Sequence, residues 1–155
     1  MAQTSATSEW FDGFVTAAEP KLRRAFVAAL GQQAGLDATS IALSYAWEHR
    51  DRLREMQNPA GYVYRVGRSR VGRRRREPHF LPVPADAEHD LEPGLPDALA
   101  KLTEKQRAAV MMVHAAGWTR HEAADALDIG LSSLDTHLAR GLRRLRHELG
   151  VHTHG

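Results

Sequence analysis

Residues 77–97 constrain this chain more than any other stretch of it. Within them stand Pro78, Pro82, Pro84, Pro93 and Pro96. Proline has no backbone N–H, and its ring clashes with the preceding helical turn, so neither a helix interior nor a central strand passes through prolines this dense. The same stretch carries six Asp/Glu and no Lys or Arg. Repeated proline among like charges reads as a linker. It divides the 155 residues into two parts, each the size of a small domain. The expected organisation is an N-terminal domain over 8–76, an acidic Pro-rich linker over 77–94 and a C-terminal domain over 95–150.

Both parts read as helical. Ala, Leu and Arg, all good helix formers, dominate the sequence, while aromatics make up only 6% and β-branched residues are scarce. Residues 1–8 are small and polar and are expected to be disordered. Trp10, Phe11, Phe14, Leu22, Phe26 and Leu30 recur at helical spacing and predict a helix from about Glu9 to Leu30, with Pro20 as a kink or break and Gly31 as its end. A second helix is expected from Asp37 or Ala38 to about Met56. Asn58 before Pro59 is a strong helix start, opening a third helix to about Arg76 with Tyr62, Val63, Val66 and Val71 toward the core. Trp10 and Trp47 are read as core residues.

Past the linker the signals sharpen. A short helix is expected from Leu95 to Leu102. Thr103 with Gln106, and Thr119 with Glu122, each have the spacing of a capping box. The first opens a helix to Ala116 closed by Gly117; the second opens a short helix to Leu127. A tight turn over Asp128–Gly130 follows, and then a long helix capped by Ser132 and closed by Gly150. The expected fold class is therefore all-α: two small helical domains joined by the linker, the second a four-helix domain.

Two helices joined by so short a turn have the form of a helix-turn-helix. Small Ala123 and Ala124 let the second helix cross close over the first, and Leu127, Ile129, Leu134 and Leu138 supply the apolar faces between them. The second helix would present Ser132, Ser133, Asp135, Thr136, His137 and Arg140 toward base edges, with Arg143 and Arg144 suited to phosphate. Trp118 is read as a packing residue. A plain helical hairpin with a solvated basic face is the competing reading; the paired capping boxes and the basic second helix favour DNA.

The net charge of +2 conceals strong segregation. Residues 58–76 hold seven Arg and no acid: Arg65, Arg68, Arg70, Arg73, Arg74, Arg75 and Arg76. Such a run suits a polyanion such as nucleic-acid backbone. The adjacent acidic linker is expected to fold back and mask it in part. Other classes lack their residues. There is no Cys, which excludes disulfides and thiolate chemistry. The nine His are scattered outside any metal-ligand spacing, and no Gly-rich phosphate loop occurs. No catalytic set, cofactor or metal is expected, and the chain is not read as an enzyme. No apolar run reaches the roughly 20 residues of a membrane span, and the N-terminus has no secretion signal, so a cytoplasmic location is expected.

Residues 98–149 resemble the C-terminal domain of sigma-70 factors of the extracytoplasmic-function (ECF) type. The resemblance lies in Leu102–Arg107, Gly117, Glu122–Ala124 and Arg143–Arg146. Upstream, Asn58–Arg76 resembles the third core helix of that family, and Asp37–Trp47 more weakly its acidic second helix. The likeness covers about 130 residues in the family's order and looks closest to the short actinobacterial SigE-like group. It implies an N-terminal domain that binds core RNA polymerase and melts the −10 element, with Asp37, Ile41, Leu43 and Trp47 as polymerase contacts. It implies a C-terminal domain that reads the −35 element of double-stranded promoter DNA, and an anti-sigma factor as a further partner. Three departures stand out: few acids near Asp37, Ser69 and Arg73 where the family commonly has Asn and Asp, and the acid Asp135 where a basic residue is frequent. They keep open a sigma-like or LuxR-type regulator that does not melt promoters, and an adaptor that binds polymerase or an antagonist without DNA.

Overall fold

The computed structural model describes residues 2–72 and 94–150. All regular structure among these is helical: α1 (Ala2–Leu30), α2 (Gln32–Glu48), α3 (Arg50–Arg54), α4 (Pro59–Gly72), α5 (Leu95–Ala100), α6 (Glu104–Val110), α7 (Arg120–Ala126) and α8 (Leu131–Glu148). The all-α expectation holds, with helical parts on either side of the Pro-rich stretch.

Several boundaries differ from the sequence expectation. α1 begins at Ala2 and continues through Pro20. Residues 2–8 are helical rather than disordered because they are tied down: Thr7 is buried, and the Arg54 guanidinium donates to its hydroxyl at 3.3 Å. Gly31 ends α1 as expected, in the left-handed region at φ 93°, but α2 resumes at once at Gln32, five residues before Asp37. That single-residue connection forces α2 back against α1. At Gly35 a Cβ would lie 2.5 Å from the Val27 Cα, so only glycine admits the approach. Around His49 the helix breaks and restarts as α3.

Asn58 caps α4 as its type predicts, its side-chain oxygen accepting from the Gly61 N–H at 3.0 Å. Leu22, Phe26, Leu53 and Val63 form the N-terminal core. Phe26 stacks on Tyr64 with ring centroids 4.7 Å apart, and a Cβ at Gly67 would strike the same Phe26 ring at 2.4 Å. Tyr64, absent from the expected core set, is buried, while Tyr62 and Val66 are half-buried. Trp47 corrects its core assignment: it is 47% exposed, standing at the edge of the α1–α2 contact, where Phe11 of α1 meets its ring edge-on at 5.0 Å without enclosing it.

In the C-terminal part both capping boxes form, Thr103 with Gln106 and Thr119 with Glu122. The helix from Thr103 does not stay α to Ala116. It widens into a π turn over Met111–Ala115, and Gly117 leaves it at φ 78°. Trp118 follows and is buried.

The two helical parts share a core. Phe26, Leu22 and Val63 belong to the same buried cluster as Ala109, Met112, Trp118, Ala123 and Leu134. The Trp118 ring meets Tyr64 edge-on at 5.9 Å, and its indole N–H donates to the Lys21 carbonyl at 3.1 Å. A smaller cluster of Ala98, Leu99, Leu102, Val110 and Leu145 seats α5 against α6 and α8. Each fully buried large side chain in such a core contributes about 1.5–3 kcal/mol.

Candidate nucleic-acid interface

α7 and α8 are joined by Leu127–Gly130, a turn with a defined closure. Asp128 sits in the left-handed region at φ 56°, which Asp tolerates better than most residues. The Ile129 N–H returns to the Ala124 carbonyl at 3.0 Å. Ala123 and Ala124 are buried, in the cluster that also holds Leu134 of α8. α8 is strongly two-sided: Leu134, Gly141 and Leu145 are buried. Gly141 lets α6 approach, since a Cβ there would lie 2.9 Å from the Val110 side chain and 3.3 Å from the Gln106 carbonyl oxygen.

The other side of α8 faces solvent. Ser132, Ser133, Thr136, Arg140, Arg143 and Arg144 are exposed, while Asp135 and His137 are half-buried. Ser132 is not the cap. α8 starts at Leu131, its N-cap Gly130 two positions before Ser132 and without a side-chain cap bond. The Ser132 carbonyl instead accepts from the Thr136 hydroxyl at 3.1 Å. Arg144 pairs with Glu148 at 2.9 Å. Glu148 also takes Lys101 at 2.8 Å, and that bond, with the nearby guanidinium, holds its carboxyl below the usual range. Asp135 accepts from Arg120 at 2.8 Å. Neither Arg120 nor that pairing was legible from the sequence. The Thr119 capping box fixes Arg120 as the first residue of its helix, but nothing in a linear spacing of fifteen residues announces the contact.

The arginines of α4 have a different setting. Arg65 donates to the Asp128 carboxylate at 3.0 Å and to the Asp125 carbonyl at 2.9 Å, and its guanidinium lies 3.7 Å from the Asp125 carboxylate. Arg68 pairs with Glu104, and Arg70 lies over the Tyr45 ring at 5.2 Å. Asn58 adds bonds to the Glu122 carbonyl and the Asp125 carboxylate, at 3.2 and 3.1 Å. Of these, Arg65, Arg68, Glu104 and Asp128 rim a cleft of about 390 Å³ between α1, α4, α6 and α7. Thus Arg65 and Arg68, expected at promoter DNA, are engaged by acids of the C-terminal part. Arg73, Arg74, Arg75 and Arg76, and the linker expected to mask them, lie outside the described residues.

Lys21 and Glu122 close the same interface at 2.9 Å, half-buried. Burial opposes the Glu122 charge, but the Thr119 N–H and the Lys21 ammonium outweigh it and hold the carboxyl below its ordinary value. Burial, joined by the Glu104 charge and opposed by the Arg68 guanidinium, pushes the Tyr64 hydroxyl up to about 12.

On α2 the four expected polymerase contacts share the outer side. Asp37 and Trp47 are exposed, Ile41 and Leu43 half-buried. Leu36, 38% exposed, extends that stripe toward the start of the helix. The Arg50 guanidinium stacks 3.9 Å over Trp47. Among the described residues no group of His, Asp and Glu is arranged to hold a metal, and no helix is long and apolar enough to cross a membrane.

Residues 94–145 match the family described as Sigma-70, region 4. A sigma-70 region 4 domain thus occupies the C-terminal part of the chain. The fold of the chain extends the match beyond that region. The sigma factor RpoE, solved in complex with the anti-sigma factor NepR from Bartonella quintana, superposes with a TM-score of 0.74 at 21% identity, over 92% of this chain and 98% of that one. CnrH, solved with the cytosolic domain of CnrY, gives 0.68 at 18% identity, over 97% and 96%. No curated protein sequence matches. Nearly the whole length of the chain thus follows the fold of these two proteins, helices on both sides of the Pro-rich stretch included, and the likeness read from Leu102–Arg107 and Arg143–Arg146 is borne out.

Proposed function

We propose that this chain is an ECF-type sigma factor that directs transcription initiation. The observation that carries the proposal is α8: within a sigma-70 region 4 domain, its basic side faces solvent while its apolar side is locked by Leu134, Gly141 and Leu145. In this reading residues 95–150 are the domain that reads the −35 element. Ser133, Thr136, His137 and Arg140 face base edges, and Arg143 and Arg144 face phosphate. Residues 8–76 are the domain that binds core RNA polymerase, through the outer side of α2 at Asp37, Ile41, Leu43 and Trp47. The arginines of α4 and the run after it meet DNA near the −10 element. The factor supplies binding and orientation, not chemistry, so it acts without cofactor or metal.

Two features favour a step before DNA engagement. Arg65 and Arg68 are occupied by Asp128 and Glu104, so the two parts must separate for α4 to reach promoter DNA. The two solved structures described above were each determined with a second protein, an anti-sigma factor in one case. A partner that holds the closed arrangement is the kind of antagonist this chain would have.

Run-off transcription on genomic promoter fragments tests the proposal, using purified core polymerase with and without the full chain. Discrete new transcripts that depend on the chain support it. DNA binding without new transcripts would replace it with a regulator that does not melt promoters. That second reading is favoured by Ser69 and Arg73 at places where the family commonly has Asn and Asp.

A further inference from the structure

Asp135 is out of place on a surface built for DNA. It follows buried Leu134 on α8 and lies among exposed Ser132, Ser133 and Thr136, where a carboxylate opposes phosphate. The structure does not leave it unpartnered: its Oδ1 accepts from the Arg120 guanidinium at 2.8 Å. Arg120 is the first residue of α7, so the pair bridges the two helices of the motif at the end where α8 begins. The side chains of both remain open to water, 54% exposed for Arg120 and 43% for Asp135. They sit at the rim of the reading face rather than in a core contact.

A guanidinium carries several N–H donors in a rigid fork. The bond to Asp135 is the only one Arg120 makes among the described residues, so donors remain for an outside acceptor. A long side chain held in place loses less freedom on binding than one that must be ordered at that moment. The start of the first helix in a helix-turn-helix lies over the sugar-phosphate backbone, and the acceptor within reach there is a phosphate oxygen. We infer that Arg120 is a phosphate-contacting residue and that Asp135 is its positioning residue, a carboxylate kept on the DNA face to aim the guanidinium. The inference rests on the DNA-binding part of the proposed function and adds residues that the recognition helix alone would not supply.

The sign of the effect distinguishes this from simple charge. If Asp135 only repels phosphate, removing it strengthens binding; if it aims Arg120, removing it weakens binding although the protein gains positive charge. The test uses the full chain as wild type, Arg120→Ala, Asp135→Ala and the double variant. Fluorescence anisotropy follows binding to a duplex that the wild type selects from a random pool and to a scrambled duplex, each at several salt concentrations. Arg120→Ala should weaken both duplexes alike, about three- to tenfold, and flatten the salt dependence by about one unit. Asp135→Ala should weaken binding about two- to fivefold while Arg120 is present, and should not weaken it further in the Arg120→Ala background, the non-additivity of groups acting as one. Asp135→Asn, which keeps an acceptor, should recover part of the loss. Salt slope and non-additivity do not follow from a fold defect, and melting curves of the four proteins should agree closely. Tighter binding by Asp135→Ala, or an equal effect with and without Arg120, overturns the inference and leaves the proposed function standing. A wild type that selects no duplex from the pool overturns both.

Discussion

Arg65 in α4 and Asp128 in the turn between α7 and α8 form an ion pair at 3.0 Å, so the helix expected at the −10 element is held by the turn of the helix expected at the −35 element. Arg68 and Glu104 repeat the arrangement. In the proposed function these acids occupy guanidiniums that DNA phosphates would otherwise engage. Exposed pairs of this kind contribute about 0–1 kcal/mol each, and salt screens them. Neutralising both acids, as Glu104→Gln with Asp128→Asn, is expected to raise affinity for mixed-sequence DNA up to about tenfold at low salt and far less at high salt. Asn suits the left-handed backbone at 128, so the turn is retained. The same charge change at exposed Glu9 and Asp51 should do less. Anisotropy titrations of the two double variants decide between them, and equal gains would show that only net charge matters.

Trp118 joins the two parts more firmly than the ion pairs do. Its ring is buried against Tyr64, and its N–H satisfies the Lys21 carbonyl. Trp118→Phe keeps most of the apolar area and loses the hydrogen bond, at about 1 kcal/mol. Trp118→Ala leaves a cavity in the shared core, at about 3–5 kcal/mol. Denaturant midpoints should rank wild type, Phe and Ala in that order. Small-angle scattering should show the radius of gyration increase for Ala before global unfolding. An Ala variant as compact as the wild type would mean the ion pairs suffice to hold the parts together.

Glu122 makes the interface sensitive to acid. Its folded value lies below the ordinary 4.5, so its contribution is fully present above the unfolded value and is lost as pH falls through the depressed one. Wild-type stability should therefore drop between about pH 5 and pH 3 by more than that of Glu122→Gln. Gln preserves the capping box but not the charge that meets Lys21. At neutral pH the variant should be weaker by about 1 kcal/mol, and the two should converge in acid. Urea midpoints measured across that range check it; parallel curves would place the acid response elsewhere.

Local signals carried most of the fold. Thr103 with Gln106, Thr119 with Glu122, Asn58 before Pro59 and Gly31 each mark a helix end through chemistry confined to a few neighbouring residues, and each appears where the sequence put it. The basic outer side of α8 was legible for the same reason, since helical spacing alone decides which residues share a side. Relations across long separations were not. Nothing near Lys21 points to Glu122 or Trp118, about a hundred positions later. Arg65 reads as an open cation until Asp128 is brought to it. Residues 2–8 look disordered by composition and are helical because Arg54 and the core reach Thr7. Trp47 looks like core by its type, yet it stays about half exposed, met by the edge of Phe11 and by the Arg50 guanidinium without being enclosed.

Arg140 and Arg144 lie one turn apart on α8, both exposed, and should behave differently. Arg140 has no partner among the described residues and stands where the reading face passes from Ser132, Ser133 and Thr136 toward the arginines. A guanidinium there can make paired hydrogen bonds to a guanine edge. Arg140→Ala is expected to cost about 1–3 kcal/mol on the duplex that the wild type selects and little on a scrambled one. Arg144 is already held by Glu148 at 2.9 Å and lies nearer the helix end, where phosphate is the available acceptor. Its removal should weaken all duplexes alike and flatten the salt slope by at most about one unit, the more modestly because Glu148 competes for it. Glu148→Gln should then strengthen binding slightly at low salt in the wild type but not in Arg144→Ala. Gel-shift titrations at several salt concentrations measure all of these. If Arg140→Ala lowers affinity for both duplexes equally, Arg140 is a phosphate contact, and the base reading falls to Ser133, Thr136 and His137.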